Sequence, residues 1–455
     1  MAVWSQATLS GITVFDRCDG EYFLPAYIKN EKKLTQVETT SLPQMFFVSD
    51  GNHLSVSRHF SDDGDIPYFR GQDINDFFLE NASPIMIPEK VFLSPMMARS
   101  HFFAGDVLLS IVGTIGSLSI VPESLGSATG SCKIAILRSK GVYSPFVLAA
   151  FLLSRFGQLQ IRRNTRGAVQ MGLILKDLAR IHVPVFEEAV ASQIEHFVKQ
   201  SIEANTQSKT AYTQAQQLLE SELGLDKLRF DKPVGYTARF SVVGLFDSVS
   251  GNRIDAQCFS PEAVFYEDWL LKHANCDRLN LLLSSTAKGR QQVEAETGTT
   301  DYCSIKHITG REIVGASKAY PAAGTPTARK DDLLLAITGA TIGKIGIINR
   351  YDNLVFSGDM LRLRANGSVN PHYLLLTLDH HLGQVQFNRW ITGSTNGHLA
   401  SRDVGRVLVP RFAPEKEEQI AALVAESLEK RQESEQLLDQ AKTRVEQLIE
   451  EAVRA

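Results

Sequence analysis

The sequence predicts an α+β protein. Two duplicated α/β domains are separated by two long helices forming an antiparallel coiled coil, with pseudo-two-fold symmetry. Three observations predict this. The chain repeats itself nearly end to end, each copy closes in a long stretch free of Gly, and the two stretches share one heptad spacing. At 455 residues the chain exceeds one ordinary core, and 44% hydrophobic with 22% charged residues suits a soluble globular protein.

The repeat is read directly. "GDVLLSIVGTIGSLSIV" (105–121) returns as "DDLLLAITGATIGKIGII" (331–348), with one residue inserted in the second glycine loop. Beyond that loop the halves keep an offset of 226: "SPFVLAAFLLSRFGQLQ" (144–160) with "NPHYLLLTLDHHLGQVQ" (370–386), and "LARIHVPVF" (178–186) with "VGRVLVPRF" (404–412). "RNTRGAVQMGL" (163–173) likewise matches "RWITGSTNGHL" (389–399). The fronts agree at an offset of 236, "RCDGEYFLP" (17–25) with "RIDAQCFSP" (253–261). The expected segments are a first domain at 1–186, a central helix at 187–224, a second domain at 225–412 and a terminal helix at 413–455.

Each helix opens with acidic residues (Glu187, Glu188; Glu415, Glu417, Glu418), where the helix dipole favours negative charge. In the first, Val198, Asn205, Tyr212 and Leu219 form one edge of the apolar seam, and Ile194, Ser201, Ser208 and Ala215 the other. The second carries Val424, Arg431, Leu438 and Val445 on one edge, and Ile420, Ser427, Ser434 and Ala441 on the other. Small residues recurring place for place suit two backbones that approach closely. Two separate amphipathic helices, each lying on its own domain, rank second.

Charge and cysteines narrow the class. The helical stretches 187–224 and 413–455 carry −4 and −5 of a net charge of −4, leaving +5 on the remainder. Acidic helices beside mildly basic domains are compatible with a nucleic-acid surface. The five cysteines (Cys18, Cys132, Cys258, Cys276, Cys303) lack zinc or redox spacing, so no metal site is expected. The amino terminus has no basic segment leading into an apolar one, and no apolar run approaches the roughly 20 residues of a membrane span. A cytoplasmic protein with reduced thiols, away from membranes, is expected.

Two catalytic motifs fail. Gly339 and Gly343-Lys344 imitate a phosphate loop, but three residues separate the glycines, and Ile345 stands where a hydroxyl is needed. The first copy has Ser117 in place of Lys344. Strand, tight glycine turn, strand is the better reading. "NPHY" (370–373) imitates the base-gripping motif of amino-methyltransferases, yet its copy "SPFV" keeps only a helix cap and a proline. No proline precedes an aspartate, so the common nuclease carboxylate signature is absent, and His380-His381 is read as a solvated helix face. No catalytic residue is assigned.

The polar loops remain. Arg162, Arg163, Arg166 and Gln170 in the first copy, and Arg389, Thr392, Ser394, Asn396 and His398 in the second, lie between a helix and a short strand. Such groups bond phosphates, and Arg, Gln or Asn reach base edges. "PYFRGQDI" (67–74), with Arg70 and Gln72, aligns with "DYCSIKHI" (301–308), with Lys306. "STAKGRQQ" (285–292) brings Lys288 and Arg290 with no aligned counterpart, and Lys344 adds a cation. For any one of them a solvated surface loop is the plainer reading. Their pattern points to double-stranded DNA, because the framework repeats while the loop chemistry changes.

Taken together, "RIDAQCFSP", "DDLLLAITGATIGKIGII", "NPHYLLLTL", "ITGSTNGHL", "VLVP" and the long final helix resemble the DNA specificity (S) subunits of type I restriction–modification systems. The resemblance spans essentially the whole chain. It implies two target-recognition domains, each reading half of a split asymmetric site, with the helices setting the unread gap. It also implies a non-catalytic subunit that docks two methyltransferase (M) subunits, which bind S-adenosylmethionine, and restriction (R) subunits, which use ATP. No cofactor is expected on this chain itself. A recognition subunit of a type II-like methyltransferase/endonuclease is the nearer rival, and a P-loop NTPase using Gly343-Lys344 the distant one.

Overall fold

The computed structural model describes residues 17, 19–61, 63–75, 77–79, 82–167, 171–237, 253, 255–393 and 396–454. The chain forms two compact units, Met1–Asn205 with Gln432–Ala455, and Thr206–Arg431. This division differs from the four segments read from sequence. Each long helix, Glu188–Leu223 and Pro414–Arg454, contributes half its length to each unit's core and is not a separate linker.

In the first unit an antiparallel sheet runs in the order Phe46–Asp50, Ile134–Ser139, Val107–Ser110, Leu118–Ile120. Strand alternation splits its side chains. Val107, Leu109, Ala135 and Leu137 pack with the apolar helix Pro145–Leu153, while Leu108, Ile134 and Ile136 pack with Phe69 and Phe102. Ile194 and Val198 from the central helix, with Ala441, Val445 and Ile449 from the terminal one, join the first of these clusters. Ser201 and Ser434 seal the contact, each hydroxyl donating to the other's main-chain carbonyl, at 2.8 and 2.7 Å. A side chain larger than serine would push the two backbones apart.

The second unit repeats the plan. Its larger sheet runs Leu283–Lys288, Met360–Ala365, Leu333–Ala336, Ile345–Ile347, Glu312–Ile313, Ile308–Thr309. The apolar helix Pro371–Asp379 packs on it, and Tyr212, Ala215 and Leu219 meet Ile420, Ala421 and Val424 in the same core. Ser208 Oγ donates to the Ser427 carbonyl at 2.7 Å. Residue numbers fall along one helix as they rise along the other within each unit, so the segments pair antiparallel. Of the sixteen seam residues expected, all but Arg431 and Leu438 are buried, and Leu438 still packs against the first unit's core.

The repeated sequence letters have structural work in both copies. Ser144 and Asn370 cap the apolar helices through their side chains, with Pro145 and Pro371 at the first helical position. Asp106 holds Arg138 as Asp332 holds Arg364. Arg17 pairs with Asp19 and donates to the Thr165 carbonyl, while Arg253 pairs with Asp255 and donates to the Ile391 carbonyl. Gln160 and Gln386 each bond both main-chain groups of His182 and Leu408 respectively.

Candidate nucleic-acid interface

The glycine loop is strand–turn–strand in both units. Gly343 and Gly116 take φ near +94° and +92°, a region that disfavours side chains. Their amides donate to the carbonyls of Ala336 and Ser110, and their carbonyls accept from Gln384 and Gln158. The repeat therefore conserves a glutamine clamp on a turn. A phosphate loop needs a helix beginning at its Lys, with amides pointing at the ligand. Here Ile345–Ile347 is a strand and the Lys344 amide is spent on Thr341, so the NTPase reading is set aside.

Against this turn lies the polar hairpin. In the second unit Ile391–Thr392 pairs with His398–Leu399, Thr338 bridges His398, and the Gly339 amide donates to the Gly397 carbonyl. Exposed Thr392 and Asn396, half-exposed His398 and exposed Lys344 are thus brought to one loop cluster. Thr338 Oγ1 donates to Asp359, and Ser357 links Asp359 to Gln291, which places exposed Lys288 and Arg290 beside the same cluster. Lys306 is exposed but paired with Glu294 at 2.7 Å.

The first unit builds the equivalent cluster. Arg166 and Gly172 form the hairpin bridge, and Gly172 also bridges Val112 at the root of the glycine turn. Thr114 Oγ1 donates to the carbonyls of Gly71 and Ile74, which brings in the segment with Arg70 and Gln72. An open groove of about 510 Å³ is lined by Arg70, Gln72, Gly113 and Lys133, among others. Arg70 bonds Asp73 through Nε and Nη2, so its fork is held in place at the groove wall. Gln72 and Arg162 are exposed. Gln170 and Ser394 lie outside the described residues.

Several expectations are corrected. Arg163 and Arg389 are buried and bolt the front of each domain to its helix. Arg163 Nε donates to the Tyr22 carbonyl and pairs with Glu31 at 2.8 Å, and Arg389 Nε donates to the Cys258 carbonyl and pairs with Glu267. Neither guanidinium is presented to solvent. Arg166 is largely engaged, with Nε and Nη2 both on fully buried Asp177. His380 is buried against Glu220, leaving His381 alone on the solvated face. "STAKGRQQ" does have a counterpart. Gly289 and Gly51 follow equivalent strands, and at each a Cβ would overlap two main-chain carbonyl oxygens of the crossing strand. That shared overlap aligns 289 with 51 where letters do not.

Sequence reasoning missed Lys133 and Asp359. They occupy one position of the repeat, at the offset of 226, with opposite charges. That swap was the available signal. Among the described residues no three metal-binding side chains gather, and no helix is long and apolar enough to cross a membrane.

No family model and no curated protein matches the chain. Among solved structures it is similar to a type-I restriction-modification system S subunit from M. genitalium, at 13% identity over 92% of this chain and 95% of that one, TM-score 0.42. It is also similar to the HsdS subunit from Thermoanaerobacter tengcongensis, at 15% identity over 92% and 96%, TM-score 0.29. A chain of a type I R-M system complex is similar at 14% identity over 91% and 97%, TM-score 0.31.

Proposed function

We propose that this chain is the DNA specificity subunit of a type I restriction–modification complex. Each unit reads one half of a split, asymmetric site through its hairpin and glycine-turn cluster. One observation carries the reading: the same cluster occurs twice on one scaffold, with its framework bonds kept and its exposed chemistry changed. Ser117 stands where the other copy has exposed Lys344, and exposed Lys133 where it has exposed Asp359. Two readers of different base sequences need that combination, because phosphate contacts position a protein and base contacts specify the site. The paired helices set the unread gap, and the chain catalyses no step. Two M subunits bring S-adenosylmethionine and the methyl transfer, and R subunits bring ATP-driven cleavage.

The test is genomic methylation mapped with the partner methyltransferase present, with and without this chain. A bipartite methylated motif that disappears with the chain is expected. An uninterrupted motif, or one indifferent to the chain, overturns the proposal.

A further inference from the structure

The first unit holds a cavity of about 260 Å³, lined by Tyr22, Asn30, Glu31, Gln160, Asn164 and Arg180 among others. This is well above the ~15 Å³ that one water needs and close to the ~300 Å³ lower end of small-molecule sites. Two amides facing it are buried, Asn30 at 4% and Asn164 at 3% exposure. Asn30 Nδ2 donates to the Phe156 carbonyl and Asn164 Nδ2 to the Gln160 carbonyl, which fixes both amides so that the oxygen is the atom left over. Neither Oδ1 has a hydrogen-bond partner, while Arg180 Nη1 is held in an ion pair 3.6 Å from Asp177 Oδ1.

The duplication supplies an internal control. Position 30 corresponds to Tyr266 and position 164 to Trp390 in the second unit. Trp390 is buried in that unit's core with Arg406, the counterpart of Arg180, 4.9 Å over its ring. The fold therefore accepts an aromatic ring here, with the Trp390 indole N–H itself buried without a hydrogen-bond partner. The first unit instead keeps two buried acceptors without a hydrogen-bond partner, which is unfavourable without a ligand.

We propose that this cavity binds a small planar molecule of nucleobase size with a guanine-type edge. The two N–H donors of that edge meet the Oδ1 atoms of Asn30 and Asn164. The site goes beyond DNA reading and is tested without it. The full chain is titrated with deoxyguanosine, with deoxyinosine (lacking the exocyclic amine) and deoxyadenosine alongside, by calorimetry and saturation-transfer NMR.

Saturable binding of deoxyguanosine, weakened about tenfold for deoxyinosine by one lost hydrogen bond, is expected. Asn164→Trp, which copies the second unit, should abolish it with the melting temperature and duplex affinity unchanged. Should Asn164→Trp fail to fold, Asn164→Ala should still weaken binding about tenfold. No saturable binding by any nucleoside means ordered water only and overturns the proposal. So does equal binding of deoxyadenosine, or Asn164→Trp costing nucleoside and duplex binding together, which would assign the pocket to a DNA base.

Discussion

Arg389→Ala separates a structural arginine from a DNA-reading one. The wild-type side chain is 3% exposed, pairs with Glu267 at 13% exposure, and donates from Nε to the Cys258 carbonyl at 2.7 Å. Truncation leaves a carboxylate and a carbonyl without their donor in a dry site, a class of change costing about 3–5 kcal/mol. At ~2–4 °C per kcal/mol for a domain of this size, melting should fall by about 6–20 °C. The loss should also depend on pH. Burial raises the Glu267 pKa above its ordinary value of 4.5, with Arg389 opposing the rise. A raised acid binds its proton more tightly when folded, so its contribution favours folding at low pH and weakens as pH climbs. Without Arg389 the rise grows, so the variant should be less impaired near pH 5 than near pH 8. Scanning calorimetry with a parallel DNA-affinity measurement reads both effects. Unchanged melting with lost DNA binding would refute the structural assignment.

Four further outcomes are expected. Ser434→Leu removes the reciprocal bonds with Ser201 and crowds the helix seam, costing about 1–3 kcal/mol in a denaturant titration; no change would mean the helices do not need small residues there. Gln384→Ala deprives the Gly343 and Leu378 carbonyls of their donor and should cost about 1–3 kcal/mol in the same titration. ATP should neither bind wild-type protein nor shift its melting, and Lys344→Ala should leave both results unchanged; saturable ATP binding would revive the phosphate-loop reading. Under the proposed function, exchanging residues 206–431 for those of an S subunit with a different target should change one half of the methylated motif, and an unaltered motif would defeat the modular scheme.

Much of the scaffold was legible because duplication gives a sequence its own internal comparison. The heptad serines, both proline-led helix caps and the strand–glycine–strand turn are local patterns, set by periodicity, φ and missing donors. The exchange of Lys344 for Ser117 in the other copy is equally local. The site was only partly legible. Arg163 and Arg166 read alike as letters three apart, yet one is buried on Glu31 and the other spans to Asp177. Lys133 sits far along the chain from Arg70, and only strand pairing puts both on one groove.

The sequence by itself therefore determined the repeat, the elements within it and the small-residue seam, because these depend on neighbours a few residues away. Tertiary structure alone decided which cations face solvent, that each helix is shared between two cores, and that one copy lines a cavity with Asn164 where the other buries Trp390. Arg163 and Arg389 are buried by partners brought from more than 100 residues away, and that distance leaves no local mark in the letters.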